Sequence, residues 1–172
     1  MNGVGNDQDG VLVLGATNCP WELDSAIRRR FEKRIYIPLP DPVARKVQFQ
    51  IRLGKTPHSC GEEDFDMLAE NSEGYSGSDI TVVVKEAMMM PVRRCRTATR
   101  FKNLPDGMIT PTYPTDPEGF DSNLYSIDNK KLKAPDVTPD DVMAALSMIK
   151  PSVGESDLTR QIEFTNEFGQ DG

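Results

Sequence analysis

Apolar positions along this chain fall into two patterns. Near the start, Val11, Leu12, Val13 and Leu14 form an unbroken run, and Ile35-Tyr36-Ile37 form a shorter second one. Apolar runs that end in small or turn-forming residues predict strands buried on both faces, as in a parallel sheet covered by helices. Beyond Pro38-Leu39-Pro40 the period becomes helical. Asp41 caps, Pro42 suits the first turn, and Val43, Val47 and Ile51 recur at four-residue spacing before Gly54 ends the helix. A second helix is predicted over about 62–71, with Phe65, Leu68 and Ala69 inward and Gly74 closing it. Ser76-Gly77-Ser78-Asp79 has the spacing of a capping box. Ile80, Val83, Val84, Ala87 and Met88 follow it as an amphipathic stripe. Met88 to Met90 read as core and helix end, and Pro91 is expected to kink or break the helix, with a second piece running toward Thr99.

No helical period survives over 102–135. That stretch holds five prolines, and Met108-Ile109-Thr110 and Asn123-Leu124-Tyr125 are candidate paired strands. A long irregular loop fits the same residues equally well. Thr138-Pro139-Asp140-Asp141 starts another helix, with Val142, Leu146 and Ile149 along one face and Pro151 stopping it. A last helix, starting at Glu155 or Ser156, places Leu158, Ile162, Thr165 and Phe168 on one side and Phe164 off it. So much aromatic surface must dock on something.

Composition narrows the class. Of 172 residues, 37% are hydrophobic and 27% charged, which is the balance of a soluble globular chain. The net charge of −7 argues against a nucleic-acid surface, and Arg93, Arg94, Arg96 and Arg100 sit at helical spacing, where a solvated face is the default. No apolar run reaches the length of a membrane span. Cys19, Cys60 and Cys95 are odd in number and scattered, as in a reducing cytosol. His58 and Cys60 lack further ligands nearby, so no metal site is expected.

Two places carry candidate chemistry. Thr17 and Asn18 stand at the carboxyl end of the first predicted strand, where parallel sheets bind ligands. Arg28, Arg29 and Arg30 follow, in a segment that Asp24 and Ser25 start as a helix. Successive helical residues lie about 100° apart, so the three arginines cannot share a face. They read either as a solvated basic turn balanced by Glu32 or as guanidinium groups presented to a phosphate. Gly77 reads either as a permissive turn residue or as part of a helix N-terminus whose free N–H groups suit a polar ligand. Gly54-Lys55-Thr56 imitates the end of a phosphate-binding loop, but Phe49 stands where that pattern requires glycine.

Sequence context then becomes specific. LGATN-x-P-W-x-L-D-x-A-I-R-R-R-F resembles the second half of the ATPase domain of an AAA protein. E-K-R-I-Y-I-P-L-P and G-Y-S-G-S-D-I narrow the resemblance to the meiotic clade of katanin, spastin and fidgetin. P-S-V-x-E-x-D-L and F-T-x-E-F-G-Q-D-G narrow it to the vacuolar protein sorting ATPases that disassemble ESCRT-III filaments. The resemblance implies an α/β fold in which C-terminal strands of the AAA parallel sheet (1–40) precede a helical lid (41–101). A small antiparallel β insertion (102–135), the last lid helix (136–151) and a C-terminal helix (152–172) complete it.

The same resemblance implies roles. Arg29 and Arg30 would be arginine fingers that reach a neighbouring subunit's nucleotide, with Arg28 structural. Asn18 would position the attacking water in its own subunit, and Gly77 and Ser78 would line the adenine and ribose pocket. The implied cofactors are ATP and Mg2+, and no metal ligand is assigned here. No phosphate-binding loop or magnesium-binding acidic pair is found, so the sequence is expected to be the C-terminal portion of an ATP hydrolase, inactive alone. Without neighbouring strands, the first forty residues are expected to be the less well-folded part. The implied partners are further copies in a hexameric ring, ESCRT-III subunits and a cofactor protein bound by the β insertion. The implied location is cytoplasmic, peripheral to the endosomal membrane, with no nucleic-acid partner. The alternative is a non-catalytic oligomerisation or cofactor-binding module.

Overall fold

Residues 12–31 and 33–169 are described in the computed structural model of the chain. They divide into two units, one formed by the chain up to Ile37 together with Glu155 onward, the other by Pro38–Gly154.

Helices make the core of the 38–154 unit. Helix α2 (Pro42–Leu53) opens with Asp41 accepting a hydrogen bond from the Ala44 N–H at 2.7 Å and closes on Gly54 at φ +51°, a conformation that favours glycine. Helix α3 (Glu62–Glu70) buries Phe65, Leu68 and Ala69, as its pattern predicts. Helix α4 (Gly77–Thr97) starts in the expected capping box: Ser76 Oγ accepts from the Asp79 N–H, and Asp79 Oδ2 accepts from the Ser76 N–H at 2.8 Å. After the insertion comes α5 (Pro139–Met148), capped the same way by Thr138 and Asp141. Phe49, Leu53, Leu68, Ile80, Val83, Val84 and Val142 close a core shared by these four helices. Each such side chain contributes about 1.5–3 kcal/mol on burial.

Two expectations fail in this unit. On α2 the Val43, Val47 and Ile51 row faces solvent, 72%, 44% and 68% exposed, while the row of Arg45, Phe49 and Leu53 is buried. Both rows have four-residue spacing, and the wider Phe and Leu surface wins the core. Arg45 disguises the winning row because its charge looks solvent-facing. Its guanidinium instead donates to the Ala69 carbonyl at 3.0 and 2.8 Å and to the Pro40 carbonyl at 2.9 Å. Nor does Pro91 end α4, which runs unbroken to Thr97. Pro91 and Cys95 both lie on its buried face, so packing offsets the one backbone bond proline cannot make.

The 102–135 stretch does hold antiparallel strands, differently paired from the expectation. Strands β1 (Arg100–Asn103), β2 (Ile109–Pro111) and β3 (Phe120–Asp121) form a sheet in the order β2-β1-β3. Phe101 pairs with Pro111 on one side and Phe120 on the other, and is fully buried. Leu124–Ser126 is a 3-10 turn, because Asn123 Oδ1 accepts from the Tyr125 and Ser126 N–H groups and bends the chain away from a ladder.

In the other unit, a 3-10 turn (Pro20–Glu22) precedes the short helix α1 (Ser25–Arg30), and α6 (Glu155–Phe168) is the terminal helix. The two predicted strands are not laddered: neither 12–14 nor 35–37 is in a strand, and Leu12, Leu14, Ile35 and Ile37 are exposed. A strand of a parallel sheet exists through the neighbours it bonds to, and no described residue of this chain offers those runs a ladder. Val11 and Glu32 lie outside the described residues. On α6 the expected face is shifted. Phe164 is half-buried and its ring lies 5.1 Å from that of Phe168, whereas Ile162 is half-exposed. The tilted ring contact with Phe168 places Phe164 on the covered side of the helix instead of the outer one.

Candidate functional site

The Asn18 and arginine segment packs along α6 by a series of polar and cation–π contacts. The Asn18 carbonyl accepts a hydrogen bond from Gln161 Nε2, leaving the Asn18 side chain on an exposed residue. Thr17 Oγ1 accepts from the Cys19 N–H at 3.1 Å, which shapes the turn into Pro20–Glu22. Arg160 lies 5.0 Å from the centre of the Trp21 ring. Asp24 then caps α1 by accepting from the Ala26 N–H at 2.6 Å.

The three arginines part company at this point. Arg28 is half-buried, its guanidinium 4.8 Å from the centroid of the Phe168 ring. With Arg28 turned toward α6, the 100° step of the helix carries Arg29 and Arg30 off that face, and both are exposed. Arg29 Nε donates to the Ser25 carbonyl at 3.3 Å within its own helix. A half-buried Arg34 donates from Nε to the Phe168 carbonyl at 2.7 Å and from Nη1 to the Arg28 carbonyl at 3.0 Å.

Gly77 and Ser78 belong to the other unit, at the first two positions of α4. Neither N–H has an acceptor within the helix, as at any helix start. A side-chain carbon on Gly77 would sit 3.1 Å from Gln48 Oε1, so glycine allows α2 to approach closely. Gln48 Oε1 is itself buried and without a hydrogen-bond partner. Sequence reading missed Gln48 because, on a helix, one glutamine among surface polar residues carries no signal. Only its place beside the Gly77 turn marks it. The Asp79 carboxyl, next in the turn, is pushed up by burial, but the N–H and hydroxyl groups of Ser76 and Ser152 outweigh that and hold it below the usual carboxylate range. It therefore stays ionised as the cap.

The arginine cluster of α4 is not simply a solvated face. Arg93 pairs with Glu86, and Arg94 forks onto Asp141 of α5, whose side chain is nearly buried. Desolvation raises the Asp141 carboxyl, yet the bond from Arg94, the Thr138 N–H and the Arg94 charge together bring it below its ordinary value. Tyr113 and Tyr125 of the insertion are 82% and 92% exposed. Among the described residues, no helix is long and apolar enough to cross a membrane.

Comparisons with known proteins bear on these features. The family described as AAA, ATPases associated with various cellular activities, matches residues 1–39. The AAA+ lid domain matches 62–106, and the Vps4 C terminal oligomerisation domain matches 109–169. Vacuolar protein sorting-associated protein 4 of Dictyostelium discoideum is 53% identical over the whole chain, which covers 41% of that protein. The chain thus spans about two fifths of the length of the curated relatives it matches. Among solved structures, the FIGL-1 AAA domain is 33% identical with a TM-score of 0.70, covering 92% of this chain and 44% of that one. A chain from a crystal structure of Vps4 and Vta1 is 37% identical with a TM-score of 0.53, covering 64% of this chain and 99% of that one. The helical lid, the small antiparallel sheet and the terminal helix are therefore those of the C-terminal part of an AAA ATPase.

Proposed function

The chain belongs to the Vps4 family of AAA ATPases, and from that membership we propose that it works as the C-terminal part of an ATP-hydrolysing enzyme that disassembles ESCRT-III polymers in endosomal sorting. On this reading its parts are the C-terminal part of the large ATPase domain (1–40), the lid (41–101 and 136–151), the insertion (102–135) and the terminal helix (152–172). The enzyme acts as a hexameric ring in the cytoplasm, peripheral to endosomes.

Hydrolysis of a phosphoanhydride leaves little covalent work for protein groups, so positioning and charge stabilisation carry the rate. Arg29 and Arg30 supply that charge to the nucleotide of a neighbouring subunit. Asn18 orients the attacking water in its own subunit. Gly77 and Ser78 receive the base and ribose, with the N–H groups of a helix start turned toward a polar ligand. On this reading the phosphate-binding loop and the ligands of Mg2+ lie outside these residues. The exposed Tyr113 and Tyr125 of the insertion suit a cofactor protein, as aromatic anchors do at interfaces.

The observation that carries this reading is the split among the arginines, one packed and two displayed. The test is Arg29→Ala in the full-length enzyme. ATP binding is expected to stay within about threefold, while turnover falls by about a thousandfold or more. Normal turnover in that variant would sink the assignment. A second reading, a module that only assembles and binds a cofactor, draws on the exposed insertion tyrosines and predicts that Arg29→Ala changes nothing but assembly.

A further inference from the structure

Arg34 sits between the carboxyl ends of two helices. Arg28 lies in the last turn of α1, and Phe168 is the last residue of α6. Carbonyls in a helix's last turn have no partner inside the helix, and the dipole gathers partial negative charge there. Arg34 answers both at once, with Nε on the Phe168 carbonyl at 2.7 Å and Nη1 on the Arg28 carbonyl at 3.0 Å. A guanidinium is planar and directs several N–H groups outward, so one side chain can fork between two acceptors, whereas an ammonium on a flexible stem holds neither direction. The Arg28 guanidinium over the Phe168 ring gives the same junction a second contact. These contacts fix the rotation of α1, and rotation alone decides which of three successive arginines point outward.

We propose that Arg34 is a positioning residue that cross-links the carboxyl ends of α1 and α6, holding Arg29 and Arg30 in the outward setting. This rests on the role proposed above for those two arginines. Loss of the cross-link frees α1 to turn, which misdirects the arginines without touching the subunit's own nucleotide pocket.

The test uses the full-length enzyme with Arg34→Gln and Arg34→Lys, each also placed in an Arg29→Ala/Arg30→Ala background. In the otherwise wild-type enzyme, Arg34→Gln is expected to lower kcat about tenfold with KM for ATP within twofold, and Arg34→Lys to recover only part of the loss. In the arginine-free background, Arg34→Gln should alter the residual rate less than twofold, since a residue acting only through Arg29 and Arg30 has nothing left to lose. A further tenfold fall there, a KM that rises in step with the loss of kcat, or wild-type kcat in Arg34→Gln overturns the proposal. If instead the arginine-free enzyme itself turns over normally, the failure belongs to the arginine assignment, and the two outcomes are told apart.

Discussion

Apolar side chains of the same kind meet opposite fates in the helical core of the 38–154 unit and in the runs 12–14 and 35–37. Phe49, Ile80, Val83 and Val142 are fully buried, whereas Leu12, Leu14 and Ile37 are each more than four-fifths exposed. A helix makes its backbone hydrogen bonds inside itself, so it needs only side-chain partners, and α2, α3, α4 and α5 supply them to one another. A strand needs backbone partners as well. Where the described chain offers none, the apolar runs stay unladdered whatever their hydrophobicity. Self-sufficiency of the backbone therefore separates the two stretches more than composition does.

The widest gap expected from this contrast is between Phe49→Ala and Leu14→Ala. In the 172-residue chain, Phe49→Ala should cost about 3–5 kcal/mol, since it empties a fully buried position. Leu14→Ala, at an exposed position, should stay within about 0.5 kcal/mol. Urea unfolding followed by circular dichroism gives both numbers. In the full-length enzyme Leu14→Ala should become costly, at about 2–5 kcal/mol, if neighbouring strands cover it there. Equal costs for Leu14→Ala in both settings would break the comparison.

A medium effect is expected at the fork between α4 and α5. Asp141 caps α5 through the Thr138 N–H at 2.9 Å and receives both arms of Arg94. Asp141→Asn keeps the size and loses the charge-assisted bonds, at a cost of about 2 kcal/mol at neutral pH. Because the folded carboxyl titrates below its unfolded counterpart, its contribution is complete above the ordinary aspartate value near ~4 and is lost as pH falls through the lower folded value. Denaturant midpoints for the two proteins should therefore converge on acidification below about pH 4. A gap that widens with acid would reverse the assigned sign.

How far the sequence foretold all this depends on where the determining partner lies. Caps are local, so Asp41, Ser76 with Asp79, and Thr138 with Asp141 were legible from spacing alone. Family motifs made Asn18, Arg29, Arg30, Gly77 and Ser78 legible as candidates. The buried Arg45 was not, because its partners are carbonyls of Pro40 and Ala69 that no pattern announces. Arg34 was hidden for the same reason, its second acceptor being 134 residues away. β1 escaped notice because Arg100–Asn103 follows an arginine-rich helix, and its strand character comes only from pairing with β2 and β3.

Val47 provides the smallest and most discriminating test, because sequence pattern and structure disagree about it outright. It stands two helical steps from Phe49, about 200° around the axis, so exchanging the exposed and buried rows would take roughly a half-turn of α2. Arg45 opposes that rotation. Its guanidinium holds two carbonyls on the inner side, and turning it out would leave the Ala69 and Pro40 carbonyls without it. Val47→Ser is thus expected to shift stability by no more than about 0.5 kcal/mol, against several for Phe49→Ala. A loss above about 1 kcal/mol for Val47→Ser in the 172-residue chain, read from the same urea curves, would mean that the valine row is covered and that α2 packs through the face its spacing first suggests.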